Sequence, residues 1–272
     1  MSAPAATAAS APRPVSVELL ILGYHAVSPD WESFLAVEPR RLERQLRSLL
    51  RRGYRAKTLS RALLDPPEPR TLAVTFDDGY RSILERGLPV LAELGVPATV
   101  FVPTDLTDEA GLFKCLPEEQ MPVEEEELRV MSWEEVRRLA AAGWEVGSHT
   151  LSHPHLPGLD DRELEEELVR SRGICEQRLQ APCETIAYPY GSHDERVLEA
   201  TDAAGYRLAV TLEQRMFEPI SGRGPLDLPR EGIFRETRRP KFMANTSRTI
   251  RRVRLSKCYR RVAVGRLGSP TG

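Results

Sequence analysis

The sequence predicts an α/β protein, a deformed or incomplete (β/α) barrel of about seven strands, TIM-like, followed by a basic C-terminal tail. Three observations lead there. From about Val17 short, nearly continuous apolar runs alternate with amphipathic segments, as buried parallel strands joined by helices require. Polar, chemistry-bearing clusters follow three of those runs directly, where a parallel barrel gathers its strand ends. No glycine-rich phosphate loop follows the first run, which weighs against an open dinucleotide-binding sheet.

Taken in order, VELLILG (17–23) is the first expected strand. In PRRLERQLRSLLRRGY, Pro39 opens a helix, Leu42, Leu46, Leu49 and Leu50 share one face, and Gly53 stops it. LAVTF (72–76) and ATVFV (98–102) are the next strands. Residues 103–131 form an acidic insertion without a period, expected to be a solvated charge run. Ser132 with Glu135, Asp160 with Glu163 and Ser192 with Glu195 have capping-box spacing and mark three helix starts. They alternate with strands WEVGS (144–148), TIAYP (185–189) and YRLAVT (206–211).

Composition sets the frame. With 272 residues, 41% hydrophobic and 29% charged, the chain can bury a substantial core. No stretch approaches the roughly 18 uninterrupted apolar residues of a membrane span. MSAPAATAASAPRPVS does not read as a secretory signal, so residues 1–16 are expected to be a disordered leader, 17–235 a catalytic domain and 236–272 a basic extension. Cys115, Cys175, Cys183 and Cys258 form no CxxC pair, which argues against a thiolate zinc knuckle and for free thiols in a reducing, cytoplasmic setting. The net charge of −2 hides an asymmetry: residues 235–266 hold twelve Lys or Arg against the single Glu236. Such a tail should seek anionic surfaces, phospholipid headgroups at the inner membrane face among them, or lie on the acidic body; no nucleic acid is expected.

The polar clusters are TFDDGY (75–80), GSHTLSHPHL (147–156) and YPYGSHD (188–194). Singly, each has an ordinary explanation: Asp78 before Gly79 could be a turn or N-cap residue, His149 a satisfied buried ring, YPYG a proline-stiffened loop. Together, two imidazoles four residues apart, His149 and His153, and a carboxylate offer N, N and O ligands with open positions for water and substrate. Pro154 disfavours helix at His153, so the pair belongs on an irregular loop, unlike the helical HExxH zinc site. A second carboxylate beside a metal could take the proton of bound water, and Asp77 is placed for it.

The ordered set TFDDGY, SHTLSH and YPYG resembles the polysaccharide deacetylases of carbohydrate esterase family 4, over roughly residues 17–235. That resemblance implies Asp77 as catalytic base, Asp78, His149 and His153 as ligands of a divalent metal, and Tyr190 as the residue whose backbone N–H stabilises the oxyanion. Zinc is the expected metal, with cobalt, manganese, nickel and iron(II) as alternatives. Pro189 and Tyr188 of the same motif and Arg230 are candidate substrate-binding residues. Thr150 would shape the histidine loop, and His155 falls outside the pattern as a rim residue.

Two departures stand out. Ala187 occupies the place where the family's third motif has an arginine that braces the catalytic aspartate, and Arg230 is the candidate replacement. No histidine follows His193, so the family's late general acid is missing. His25, directly after the first strand, is the candidate substitute, as the resemblance to the exopolysaccharide-deacetylase branch implies; His193 is the reserve. Phe101, Trp133, Trp144 and Tyr188 are candidates for sugar stacking or for the core.

The resemblance implies hydrolysis of the N-acetyl group of a glucosamine-type sugar, oligosaccharide or lipid-linked glycan, with release of acetate. O-acetyl ester or non-sugar amide hydrolysis, and a catalytically weak glycan-binding protein, are the alternatives.

Overall fold

The computed structural model describes residues 19–66, 68–114, 121, 124–212, 224–247 and 249–250. The expected leader, Cys115, Cys258 and the tail beyond 250 lie outside the described residues.

The first strand, β1 (Leu19–Tyr24), is buried throughout. Two two-residue strands, β2 (Ala26–Val27) and β3 (Ala36–Val37), pair with each other, and α1 (Pro39–Arg51) follows with Leu42, Leu46 and Leu49 buried. Its end is set by Gly53 at φ +83°, a left-handed position that a side chain resists. Then come β4 (Arg55–Lys57), α2 (Leu59–Leu64), β5 (Thr71–Phe76), α3 (Leu88–Leu94), β6 (Thr99–Val102) and α4 (Thr104–Glu109). The chain continues through α5 (Trp133–Ala141), β7 (Glu145–Ser148), α6 (Asp161–Leu179), β8 (Thr185–Ala187), α7 (Glu195–Ala203), β9 (Leu208–Val210), β10 (Glu231–Gly232) and α8 (Arg239–Asn245). Among the described residues no helix is long and apolar enough to cross a membrane.

The main sheet runs β10-β1-β5-β6-β7-β8-β9, all parallel. In such a sheet every C-terminal strand end opens on one side, where loops of distant sequence meet. Strand β4 pairs with the start of β5, at Thr71–Ala73, while β6 takes over at Thr75 and Phe76, so the sheet splays there. Its two outer strands are joined by one short segment. Leu228 bridges Val210 of β9, and three residues later β10 pairs with Leu22 and Gly23 of β1. The sheet therefore curls into a deformed barrel whose last closure is only a few residues long.

Strand periodicity divides the core in two. Leu20, Leu22, Tyr24, Leu72, Val74, Phe76, Val100 and Val102 pack outward under the helices. Leu19, Ile21, Ala73, Phe101, Ala187, Leu208, Val210 and Leu228 fill the interior. Gly147 is required by this filling, because a Cβ there would lie 2.5 Å from Thr185 Oγ1 and 2.6 Å from the Phe101 ring.

Two of the three capping boxes form as expected. Ser132 and Asp160 each accept from the backbone of Glu135 and Glu163, whose side chains answer. The third differs: α7 starts at Glu195 with Asp194 as its cap, accepting from Val197 N, so Ser192 stays in the preceding turn. An aspartate one residue before the helix outcompetes a serine three residues before it. Strands β2, β3, β4 and β10 were not expected, since two or three residues are too few for a period to show. The acidic insertion is more structured than a solvated run. Glu127 is buried, takes both oxygens to Arg86 Nη1 at 3.0 Å and accepts from Ser28 Oγ. Residues 237–246 also pack on the domain: Phe242 is buried, Gln45 donates to the Thr237 carbonyl, and Arg52 reaches Thr246 Oγ1.

Candidate metal centre and active site

The strand ends bring together what the sequence holds apart. Asp77 and Asp78 follow β5, His149 and His153 follow β7, Tyr190 follows β8, and His25 follows β1. Asp78 Oδ1 lies 3.3 Å from His149 Nε2 and 3.5 Å from His153 Nε2. All three residues are buried, and their donor atoms lie within 4.8 Å of one another.

These separations fit one small divalent cation. Ligand bonds of about 2.1 Å at a tetrahedral angle place neighbouring donor atoms about 3.4 Å apart. The chemistry of the set fits too, with two imidazoles and a carboxylate. His149 is oriented from behind by its Nδ1, 2.8 Å from the Ala187 carbonyl oxygen, which makes Nδ1 the donor and leaves Nε2 as a lone pair for a metal. The ring of His153 is wedged between Phe113 and Tyr190, with centroids 4.9 and 4.7 Å away.

The loop that carries the imidazoles is irregular, as Pro154 requires. Thr150 and His153 take φ of +65° and +64°, and Asp78 and Tyr190 take +66° and +59°, so four non-glycine residues with positive φ meet at this site. Such strain persists only where the surroundings over-determine it. Here Thr150 Oγ1 accepts from His153 N, and Glu167 of α6 accepts from Leu151 N at 2.8 Å and Ser152 N at 3.0 Å. Glu167 gave no signal in the sequence, because a helix glutamate normally points to water. Gly191 could have been read from YPYG: its φ is +68°, and a Cβ there would strike Leu212 N at 2.5 Å.

Asp77 stands beside this set and is held differently. Arg230 Nη1 donates to Asp77 Oδ1 and Nη2 to Oδ2, each at 2.6 Å. The guanidinium sits inside the barrel, donating also to Thr75 Oγ1 at 2.9 Å and the Thr211 carbonyl at 2.8 Å, and lying 5.7 Å from the Phe101 ring centroid. Arg230 thus supplies the brace that Ala187 lacks. With its side chain 0% exposed it cannot touch a ligand, which corrects its assignment to substrate binding. His25 Nε2 lies 4.0 Å from Asp77 Oδ2, its ring stacked on Phe234 at 6.0 Å.

Electrostatics follows the geometry. Burial alone would push the Asp77 carboxyl up, but the Arg230 guanidinium outweighs it and holds the group well below the usual carboxylate range. His25 is lowered, burial outweighing the Asp78 and Asp77 carboxylates. Burial and the neighbouring His149 push His153 down to about 4. At His149 burial is overcome by the hydrogen bond and charge of the aspartates, and its pKa rises.

Other expected residues fall elsewhere. Tyr188 is fully buried and donates to the Leu226 carbonyl, so it presents no face to a substrate; Phe101, Trp133 and Trp144 are buried as well. Pro189 is buried under the Tyr190 turn, another correction to the substrate-binding set. His193 is engaged by Asp227, 3.2 Å from its Nε2, and stacks on Tyr188. His155 does stand at the rim, its ring 6.1 Å from Tyr190. Cys175 and Cys183 are free thiols and buried.

Comparison with known proteins places this arrangement. The Bacillus subtilis protein YxkH, itself named for the polysaccharide deacetylases, is 29% identical over 201 residues, which is 72% of this chain and 65% of that protein. The poly-β-1,6-N-acetyl-D-glucosamine N-deacetylase of Staphylococcus aureus is 25% identical over 161 residues, 56% of this chain and 51% of that enzyme. The chain thus spans between half and two thirds of these curated relatives. Among solved structures, the Streptococcus pyogenes deacetylase PplD superposes with a TM-score of 0.70 at 22% identity, covering 84% of this chain and 98% of that one. A polysaccharide deacetylase from Bacillus cereus superposes at 0.66 with 26% identity, covering 84% of this chain and 69% of that one. The family model described as polysaccharide deacetylase matches residues 65–209, more than half of the chain and the segment that carries Asp77, Asp78, His149, His153 and Tyr190. The chain belongs to the polysaccharide deacetylase family.

Proposed function

We propose that the chain is a metal-dependent N-deacetylase acting on a glucosamine-type glycan or glycan precursor and releasing acetate. The observation that carries this is the pairing of a three-donor set, Asp78, His149 and His153, with a separate carboxylate, Asp77, braced by Arg230 and 4.0 Å from an imidazole. The Staphylococcus aureus relative, a poly-β-1,6-N-acetyl-D-glucosamine N-deacetylase by name, supports the substrate class.

A divalent cation, zinc first by its donor set, would polarise the acetyl carbonyl and lower the pKa of water at this site. Asp77 accepts the proton of the attacking water, and the Tyr190 backbone N–H steadies the oxyanion. A carboxyl held as acidic as Asp77 gives up that proton readily. His25 Nε2, 4.0 Å away, is the group to relay it to the departing nitrogen. In this reading Arg230 stands in for the missing arginine and His25 for the late histidine, supported by the Arg230–Asp77 pair and by the 4.0 Å between His25 and Asp77.

We further propose that the enzyme works at an anionic membrane face. Arg40, Arg44 and Arg51 are exposed along one side of α1, and Arg238, Arg239 and Lys241 are exposed at α8, whose following residue Thr246 accepts a hydrogen bond from Arg52 at the end of α1. The tail adds the charge already noted, and this supports an acetylated glycan held at the inner surface.

Metal content and acetate release test the main reading together. The purified protein is expected to hold one divalent ion per chain and to release acetate from N-acetylglucosamine oligomers faster than from O-acetylated sugars. Asp77→Asn should keep the ion and abolish turnover; turnover equal to wild type would remove Asp77 as the base.

A further inference from the structure

Among the described residues few large apolar side chains are exposed, and Phe34, at 43%, is one of them. It lies in the loop between β2 and β3, and its ring meets that of Phe234 at a centroid distance of 5.6 Å. Phe234 in turn stacks on His25 at 6.0 Å with the planes 27° apart. A continuous aromatic row therefore leads from the imidazole beside Asp77 out to the surface.

This row is built and held. Arg235 N donates to the Phe34 carbonyl at 2.8 Å, and Arg235 Nη1 donates to the Trp31 carbonyl at 2.8 Å. Arg41 of α1 donates to the Arg235 carbonyl, and Phe234 N donates to Thr237 Oγ1 at 3.0 Å. Two loops about 200 residues apart are thus tied into one support. A side chain that merely filled the core would be covered, whereas Phe34 is kept half in water on a pinned backbone.

The chemistry says what such a platform would hold. Resting on the function proposed above, the nitrogen that leaves as amine must come within hydrogen-bond reach of His25. In an amino sugar that nitrogen is bonded directly to the pyranose ring, so the ring must lie on the His25 side, where the row of Phe234 and Phe34 begins. One face of a pyranose is lined by C–H groups with partial positive charge, which complements the negative face of an aromatic ring. The acetyl methyl and carbonyl lie towards Tyr190 and the donor set instead.

We infer that Phe34, seated on Phe234, is a sugar-stacking platform that binds a pyranose ring of the substrate on the leaving-amine side and so selects oligomers over small acetyl compounds.

The test is steady-state kinetics of zinc-loaded protein on two probes: a β-1,6-linked tetramer of N-acetylglucosamine, and vinyl acetate, which carries an acetyl group and no ring. Phe34→Ala is expected to raise KM for the tetramer on the order of tenfold, with kcat for it and kcat/KM for vinyl acetate within about twofold of wild type. Phe34→Trp, which keeps a flat face, should hold the wild-type KM. A tetramer KM unchanged in Phe34→Ala overturns the inference, and so does an equal loss on vinyl acetate, which would mean that the residue acts through the fold or the reacting groups. Failure of the functional reading looks different: wild type would release acetate from vinyl acetate and none from the tetramer.

Discussion

Replacing Arg230 by methionine separates the brace from Asp77, the proposed base. The substitution keeps most of the side-chain length inside the barrel but removes the two 2.6 Å bonds to Asp77 and the bond to Thr75 Oγ1. Asp77 is left 3% exposed without its counter-charge. Breaking a buried pair by deleting one partner costs about 3–5 kcal/mol, a large part of the roughly 5–15 kcal/mol of a typical domain. The charge effect is comparable: two unit charges about 4 Å apart interact by about 4 kcal/mol at an effective dielectric of 20, about a thousandfold in the acid dissociation of Asp77. With Arg230 present the carboxyl is held below its ordinary range, so its contribution to stability is present above its unfolded pKa of about 4 and lost only as pH falls through the lower folded value. Without it, burial raises the folded pKa, and the acid must be deprotonated before it can serve as base. The acid limb of kcat/KM should therefore move towards neutral pH in Arg230→Met, while the metal content stays at one per chain. The assay is acetate release between about pH 4.5 and 8 at saturating zinc, beside chemical denaturation of both proteins, with Arg230→Lys as a better-folding companion. A folded variant whose acid limb coincides with that of wild type would refute the reasoning.

Further outcomes follow from the same geometry. His25→Gln should lower kcat for the N-acetyl tetramer by about 10²–10⁴-fold and affect an activated acetyl ester far less, since such a leaving group departs without a proton; equal losses on both would deny His25 the acid's role. Gly147→Ala should destabilise the fold by about 1–3 kcal/mol, because its Cβ would lie 2.5 Å from Thr185 Oγ1 and 2.6 Å from Phe101, and a denaturation midpoint at the wild-type value would contradict the packed interior. The 272-residue chain should sediment with anionic phospholipid vesicles at low salt and detach at high salt. Removing residues 251–272, which spares α8 and its buried Phe242, should weaken that retention, and retention unaffected by the deletion would count against membrane docking through the tail.

The sequence by itself determined much of the local structure and which residues gather at the strand ends. The leucine face of α1, the caps at Ser132 and Asp160 and the apolar runs of β1 and β5 are periodic or positional signals, each contained in a few neighbouring residues. Asp77, Asp78, His149, His153 and Tyr190 were legible for the same reason: each cluster follows a strand directly, and a parallel sheet collects strand ends. The tertiary structure decided how those residues are supported and which neighbours serve them. The Arg230–Asp77 pair joins residues 153 positions apart, and the Phe34–Phe234 row joins two loops from the ends of the domain. The hydrogen bond that orients His149 comes from a backbone carbonyl, Ala187, and any residue type could have supplied it. Packing also decided Tyr188 and Pro189, whose motif position suggested contact with substrate while the turn after β8 buries both. Contacts of this kind leave no period in the chain, because they are set by strand register and barrel curvature, which emerge only when all the strands are packed together.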